Sequence, residues 1–259
     1  MRSCPVTDFE SWCQPAAFVK VKKHIAGVLL SNDDSVGVDA VAATLAEKYA
    51  ETKTLALIAE TLGKQEVAKF LRHRFPTKAS ARSGDMGEIL ATAFVHEDRD
   101  YVVGPSRLIH RDHQEWAMRG DDVLGAFVDS ESRVHLVKVE AKSGVSITKK
   151  VVKDAREGLQ RTGGLPSPHS LTQFAERLLD TSDDALGEAV LRLQLVEGVR
   201  PAAMTHVMFL FTASDPSQLV ENDLTAYTGT IKQLAMTLRV NAHQDFIRTA
   251  YEKALADDT

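Results

Sequence analysis

Three groups of charged residues in the middle of the sequence could form one catalytic site. Glu88 lies in the first turns of a predicted helix, Asp121-Asp122 precede an apolar strand, and Glu140-Ala141-Lys142 ends the next apolar strand. Side chains two residues apart on a strand point to the same face, so Glu140 and Lys142 project together. An acid that enters one strand of a hairpin lies close to an acid that leaves its partner. The spacing therefore predicts that Asp122 and Glu140 meet in space.

Two carboxylates at the end of an apolar strand pair are electrostatically unfavourable unless a cation neutralises them. Mg²⁺ or Mn²⁺ suits this role because hard divalent cations take carboxylate oxygens and keep several water molecules. Such a cation activates water and stabilises charge on a phosphate. A lysine beside it, here Lys142, can orient or deprotonate the attacking water and offset negative charge in the transition state. These residue types together indicate metal-assisted hydrolysis of a phosphodiester bond.

Hydrophobic periodicity predicts the elements that would position these residues. Apolar side chains at helical spacing predict one helix over Asp85–Val95, which Gly84-Asp85 could cap, and another over Ile147–Leu159. Between them, Val123–Val128 and Val134–Val139 are apolar runs of strand length. The short link that joins these two runs predicts an antiparallel hairpin.

The flanking regions contain further predicted elements. Short strands are expected at Asp100–Val103 and around Leu108, and Thr205–Thr212 is a continuous apolar run typical of a strand buried on both faces. Phe18–Leu30 is a strand or strand-turn segment that precedes helical patterns. Leu219–Ala256 is predicted to be mostly helical. This order of helices and strands predicts an α/β/α core around a mixed sheet.

The order of the motifs resembles a known nuclease superfamily. A glutamate on a helix, Gly-x-Asp at a strand, Glu-x-Lys at the next strand and then a helix is similar to the restriction-endonuclease-like, or PD-(D/E)xK, nucleases. Within that superfamily, Arg82–Leu90, Arg119–Val123 and Val139–Ser143 resemble the HamA-like nuclease subunits of Hachiman anti-phage defence systems. The resemblance covers about residues 82–160. It implies a restriction-endonuclease-like fold and an effector that degrades DNA together with a partner helicase.

The resemblance also implies a role for each charged residue. Asp122, Glu140 and Lys142 would form the catalytic trio, and Glu88 would be an additional acid at a Mg²⁺ or Mn²⁺ site. The superfamily's proline before the aspartate is absent here, which leaves either Asp121 or Asp122 as the metal ligand. Asp122 is preferred because it directly precedes the apolar strand.

Composition limits the remaining classes of function. The 259 residues are 44% hydrophobic and 26% charged, as in ordinary globular proteins, and the chain is long enough for a full core. Two cysteines, Cys4 and Cys13, form neither a disulfide framework nor a zinc knuckle, which predicts a reducing, cytoplasmic location. No apolar run approaches the roughly 18–20 residues of a membrane span, so we expect no membrane association.

Charge and position suggest how the chain is divided. A net charge of −5 means that nucleic acid would need a local basic surface, a metal or a partner in order to bind. We expect a mainly helical region over residues 1–80 that contacts a partner, and a nuclease domain over 81–259 with helical C-terminal additions. Two alternatives stay open from the residues alone. They are a non-catalytic partner-binding module of the same fold and a nuclease that acts on RNA.

Overall fold

The computed structural model describes residues 8–97, 101–104, 107–110, 114–115 and 120–256. The strands are β1 (Ala17–Val21), β2 (His24–Leu30), β3 (Val102–Val103), β4 (Val123–Val128), β5 (Val134–Ser143), β6 (Met204–Thr212) and β7 (Lys232–Arg239). The helices are α1 (Phe9–Trp12), α2 (Asp34–Tyr49), α3 (Thr52–Leu62), α4 (Lys64–Arg74), α5 (Ala79–Glu97), α6 (Lys149–Gln160), α7 (Pro168–Leu178), α8 (Asp184–Arg192), α9 (Ser217–Ala226) and α10 (His243–Ala256). Cys4, Asp100 and Arg119 lie outside the described residues. These elements confirm the predicted α/β class.

The seven strands form one mixed sheet in the order β1-β2-β7-β6-β5-β4-β3. β4 and β5 form the predicted antiparallel hairpin, in which Val123 lies opposite Val139. The central neighbours β5, β6, β7 and β2 pair in parallel. Parallel pairing requires connections that leave the sheet and return, and α6, α7 and α8 provide one between β5 and β6.

Helices cover both faces of the sheet, as the predicted α/β/α arrangement requires. On one face, α2, α5 and α10 share a core with strand side chains such as Val139 and Phe209. On the other face, α6 and α9 pack around Leu210, while α7 and α8 pack around Leu136. β6 is buried at every position except Thr205, which confirms the strand predicted from its continuous apolar run. Among the described helices, none combines the length and apolar character that a membrane span needs.

The C-terminal region requires a correction, because β7 lies within residues that the pattern predicts to be mostly helical. Its sequence is rich in residues with good helix propensity, among them Gln233, Ala235, Met236 and Leu238. These four side chains are buried because β7 is covered on both faces, so the alternation that would mark a strand is missing. Pairing with β2 and β6 outweighs local propensity here.

Two predicted elements next to the site also differ from the structure. α5 begins at Ala79 rather than Asp85, so Asp85 lies inside the helix instead of capping it, and Glu88 lies near its middle. The buried Asp85 carboxylate accepts a hydrogen bond from the Tyr49 hydroxyl at 2.5 Å, which anchors this part of the helix to α2. Leu108 lies in a short 3₁₀ helix rather than in a strand. In this turn, the Leu108 side chain packs in the core, and the neighbouring Arg107 side chain contacts Glu88.

Residues 8–80 share the sheet and the core with the rest of the described chain. β2 pairs with β7 from Ile25–Leu234 to Leu30–Arg239. The largest core cluster contains Val41 of α2 together with Phe246 of α10. The expected boundary at residue 80 therefore falls inside the first turn of α5, in a chain whose two parts are packed together. Whether residues 1–80 contact a partner stays a prediction.

Candidate active site

β5 carries three charged side chains on one face, at Lys138, Glu140 and Lys142. The alternation predicts that Glu140 and Lys142 share a face, and a hydrogen bond of 2.6 Å from Lys142 Nζ to Glu140 Oε1 confirms it. The pairing of β4 with β5 ends at Val123–Val139, whereas β5 continues alongside β6 to Ser143. The acid and the lysine therefore lie beyond the hairpin partner, at an open end of the strand pair.

The Glu140 carboxylate lies against α6 at Gly158. A Cβ atom at position 158 would overlap both oxygens of that carboxylate. The Glu140 side chain is only 6% exposed. Burial and the nearby charge of Asp122 raise its pKa, although Lys142 favours the ionised form. Glycine at this helix position therefore creates the space in which the acid is held.

For the nuclease activity that the motifs predict, we expect Gly158→Ala to lower turnover about 100-fold, because the added methyl group displaces the Glu140 carboxylate. Alanine in a helix otherwise stabilises by about 0.5–1 kcal/mol relative to glycine. The measurement is cleavage of nucleic acid together with thermal unfolding. Gly84→Ala on α5 is the matched control, since a Cβ there meets nothing within 4 Å, and it should keep full activity. Wild-type cleavage by the Gly158 variant would contradict this role.

Asp122 connects the strand end to a second acid through an arginine. Its Oδ2 accepts a hydrogen bond from the Ala141 N–H at 3.0 Å. Its Oδ1 accepts one from Arg107 Nη2, also at 3.0 Å. The same guanidinium donates to both oxygens of Glu88, from Nε at 2.8 Å and from Nη2 at 2.6 Å. Arg107 therefore links Glu88 on α5 to the acid that precedes β4.

Glu88 has an altered pKa and lines a cleft. Burial raises the pKa of Glu88 to about 7, although the bound Arg107 favours the ionised form. A cleft of about 1160 Å³ is lined by Glu88, Arg107 and Asp122. Arg177 also lines it, and burial together with the charge of Arg107 lowers the pKa of Arg177. Part of the predicted acidic cluster thus borders a space large enough for a ligand.

The three predicted acids do not form one group. Arg107 joins Glu88 to Asp122, and Asp122 in turn interacts with Glu140. Within the part of the chain that the structure describes, no three His, Cys, Asp or Glu side chains gather as a potential metal site. Arg107 engages both oxygens of Glu88. Burial and the charge of Asp122 raise the pKa of the Glu140 carboxyl, so these two carboxylates interact, and their joint role at a metal stays a prediction.

Asp121, the alternative ligand, has a different set of contacts. Its Oδ1 forms an ion pair with Lys138 Nζ at 3.0 Å, and its Oδ2 accepts from the Ser167 N–H at 2.8 Å. Gly120, which precedes it, has a φ of +131°, and a Cβ atom there would collide with the Ser170 hydroxyl. Asp121 thus binds Lys138 and the backbone that precedes α7, and the preference for Asp122 as the metal ligand stays a prediction.

Lys138 is the centre of a buried polar support behind the site. The residue is fully buried, and its Nζ contacts Asp121 Oδ1 at 3.0 Å. The same ammonium donates to the carbonyl oxygens of Arg161 at 3.3 Å and Leu165 at 3.1 Å. Its three hydrogens therefore connect β5 to the acid that precedes β4 and to the segment that follows α6.

Three residues of this site were not identified from the sequence. Lys138 carried a usable signal, because it alternates with Glu140 and Lys142 on one strand face. Gly158 carried another, since an isolated glycine within a helical pattern often has a packing or functional reason. Arg107 carried none, because it lies outside the charged motifs and its two partners are remote in sequence.

The fold and the site define an α/β protein with an acid–lysine cluster at the open end of the β4–β5 hairpin. A family model described as HamA matches residues 8–254. The Hachiman protein HamA of Bacillus cereus is 24% identical to this chain over 226 residues, which cover 85% of the chain and 81% of that relative. Because the family model extends over nearly the whole chain, this protein belongs to the HamA family.

Proposed function

We propose that this chain is a metal-dependent nuclease, the effector subunit of an anti-phage defence complex, which hydrolyses phosphodiester bonds of DNA. The observation that carries the proposal is the ion pair of the buried Glu140 with the partly exposed Lys142, beyond the end of β4. Asp122 accepts a hydrogen bond from the backbone amide between them. The order of α5, the β4–β5 hairpin, α6 and β6 supports the restriction-endonuclease-like core that the motifs imply.

The chemistry of the donor set fits a hard divalent cation. Mg²⁺ is commonly bound by one or two carboxylates and retains several waters, so Asp122 and Glu140 would be sufficient protein ligands. The raised pKa of Glu140, caused by burial and by Asp122, is the behaviour of two carboxylates that need positive charge. Glu88 would act on this site through Arg107 rather than as a direct ligand. Mn²⁺ has the same ligand preference.

Each residue would contribute a separate part of the reaction. A bound cation would activate water and stabilise negative charge on the phosphate. Lys142 is 27% exposed, so its ammonium can reach both water and substrate while Glu140 Oε1 holds it in place. It would orient the attacking water and stabilise charge on the phosphate. Glu140, held by Gly158, would keep both the cation and the lysine in position.

The biological setting is inferred from the family and the motifs. The Bacillus cereus relative is a Hachiman protein by name, and on that basis we propose a defence role for this chain. From the motif resemblance, we further propose that a partner helicase regulates cleavage. The net charge of −5 is consistent with such a partner, because an acidic nuclease binds DNA weakly by itself.

The first eighty residues offer a surface for that partner. Phe18 on β1 and Leu57 and Leu62 on α3 are large apolar side chains that lie exposed. Deleting residues 1–80 would be an unsuitable test of partner contact, because it would remove β2 from its pairing with β7. Leu57→Ser and Leu62→Ser change the surface of α3 and leave the sheet intact, so they suit a pull-down with the partner.

One observation favours the non-catalytic alternative. Arg107 neutralises Glu88 and Asp122 together, so two of the acids already have a cation in the protein itself. A partner-binding module would keep such an ion-pair network for stability alone. It would have no use for the lysine that Glu140 holds at the open strand end, and this is why the nuclease is preferred.

The test is cleavage by the purified full-length chain. Supercoiled plasmid and an RNA of matching sequence are incubated with Mg²⁺, with Mn²⁺ or with a chelator, with and without the products of the neighbouring genes. We expect metal-dependent cutting of the plasmid that the chelator abolishes. Cutting of RNA in place of the plasmid would show that the substrate is RNA. Intact nucleic acid under every condition would favour the non-catalytic partner-binding module.

A further inference from the structure

The segment that follows α6 is fixed by buried polar groups. Lys138 donates to the carbonyl oxygens of Arg161 and Leu165. His206, whose pKa burial lowers to about 4, stays neutral, and its Nε2 lies 2.7 Å from the Gly164 carbonyl oxygen. Thr162 has a φ of +53°, a conformation that favours glycine, and its hydroxyl donates to the Leu165 carbonyl at 2.7 Å. Several contacts thus hold one defined, partly strained backbone conformation.

This segment presents one guanidinium to the acid–lysine pair. Arg161 Nη2 lies 4.0 Å from Glu140 Oε1, the oxygen that also accepts from Lys142. The Arg161 side chain is 65% exposed, so most of its donors face water. In the described part of the chain, no acceptor lies within hydrogen-bond distance of its guanidinium. Arg161 therefore keeps its donors available beside the proposed reaction centre.

Other arginines near the site already have partners. Arg156, on α6, is buried, donates to Asp223 and Gln233, and stacks over the Tyr227 ring. Arg107 is shared between two carboxylates. An arginine that binds a substrate phosphate must keep its planar fork of donors free until the substrate arrives. Among these three, Arg161 meets that condition.

We propose that Arg161 binds a phosphate oxygen of the nucleic-acid substrate next to Glu140 and Lys142, and that Asp121 and Lys138 support the segment that carries it. The proposal rests on the nuclease function proposed above and adds a substrate-binding residue to it. A chain with a net charge of −5 needs local cations to hold a polyanion, and Arg161 supplies one at the point of reaction. Because Lys138 contacts the backbone of residue 161, the side chain can be replaced while the segment keeps its support.

The experiment compares Arg161→Gln and Arg161→Lys with the wild-type full-length chain in steady-state cleavage of plasmid at several salt concentrations. We expect Arg161→Gln to raise KM about tenfold, as for loss of one charged hydrogen bond. The slope of log KM against log salt should fall by about one, because one phosphate contact is lost. Arg161→Lys should restore part of both effects. Arg192→Gln, which removes the same charge from the exposed surface of α8, is the matched control and should behave as wild type.

The outcomes separate this proposal from the proposed function. Cleavage by Arg161→Gln with the wild-type KM and salt slope would overturn the role of Arg161 and leave the nuclease intact. A wild-type chain that cuts neither DNA nor RNA, alone or with the products of the neighbouring genes, would overturn both. Thermal unfolding shows whether the Arg161 variants keep the fold, and an unchanged transition is expected because the side chain is exposed.

Discussion

Replacing Glu140 with glutamine is expected to reduce metal-dependent cleavage by about 100-fold or more, and Lys142→Met to do the same. Glutamine has the shape of glutamate, so it fits the space beside Gly158 while it removes the charge that would hold a cation. Methionine keeps the length of the lysine stem and removes the ammonium that Glu140 positions. The pair Glu140→Ala/Lys142→Ala should abolish cutting while the fold survives. The measurement is plasmid cleavage with Mg²⁺ beside circular dichroism.

The control for charge loss is Glu157→Gln, one residue before Gly158 on α6. Its side chain is 58% exposed and its Lys153 partner is 3.5 Å away, so this pair is a solvated surface contact. The variant should cut as wild type. Cleavage at the wild-type rate by Glu140→Gln would instead show that the acid at the end of β5 is not part of the reaction centre. It would shift the search to the cleft that borders Glu88 and Arg107.

The two faces of β5 explain how one strand serves both the core and the site. Val137 and Val139 point into the core that α5 closes, and they fix the strand in the sheet. The opposite face carries Lys138, Glu140 and Lys142, each with its own partner. Lys138 is neutralised by Asp121 and supports the backbone, whereas Glu140 and Lys142 neutralise each other at the open end. Lys138 is thus enclosed in the support of the fold, whereas the partly exposed Lys142 stays at the open end of the strand beside the buried Glu140.

The hairpin and its charged end could be predicted because they depend on local alternation. Val123–Val128 and Val134–Val139 carry the apolar pattern of paired strands, and the alternation of β5 places Glu140 beside Lys142. The position of Asp122 follows from the register of the same hairpin. These features involve residues that are close in sequence or joined by one short turn.

The remaining features could not be predicted because they depend on contacts distant in sequence. β7 is a strand because β2 and β6 flank it, and its own residues favour a helix. Arg107 is placed by Glu88 and Asp122, which belong to different elements. Gly158 matters because the Glu140 carboxylate approaches it from the sheet. Packing between elements determines each of these features, and a local sequence pattern does not reveal that packing.

Lys138→Met should destabilise the protein by about 3–5 kcal/mol, the usual effect of removing one partner from a buried ion pair. The Asp121 carboxylate would lose the fully buried ammonium at 3.0 Å, and the carbonyl oxygens of Arg161 and Leu165 would lose a donor. Asp121→Asn should have a comparable effect, because it leaves the ammonium without a counter-charge. The measurement is the free energy of unfolding by urea for each variant.

The double variant Asp121→Asn/Lys138→Met distinguishes a structural Asp121 from a metal ligand. It leaves no unpaired charge, and the asparagine carbonyl can still accept from the Ser167 N–H, so most of the lost stability should return. If Asp121 is structural, cleavage should return with stability, since Asp122 and Glu140 are unchanged. A stable double variant that fails to cut would instead identify Asp121 as part of the reaction centre. Lys150→Met, at an exposed ion pair with Asp154, is the control and should change stability by about 0.5 kcal/mol or less.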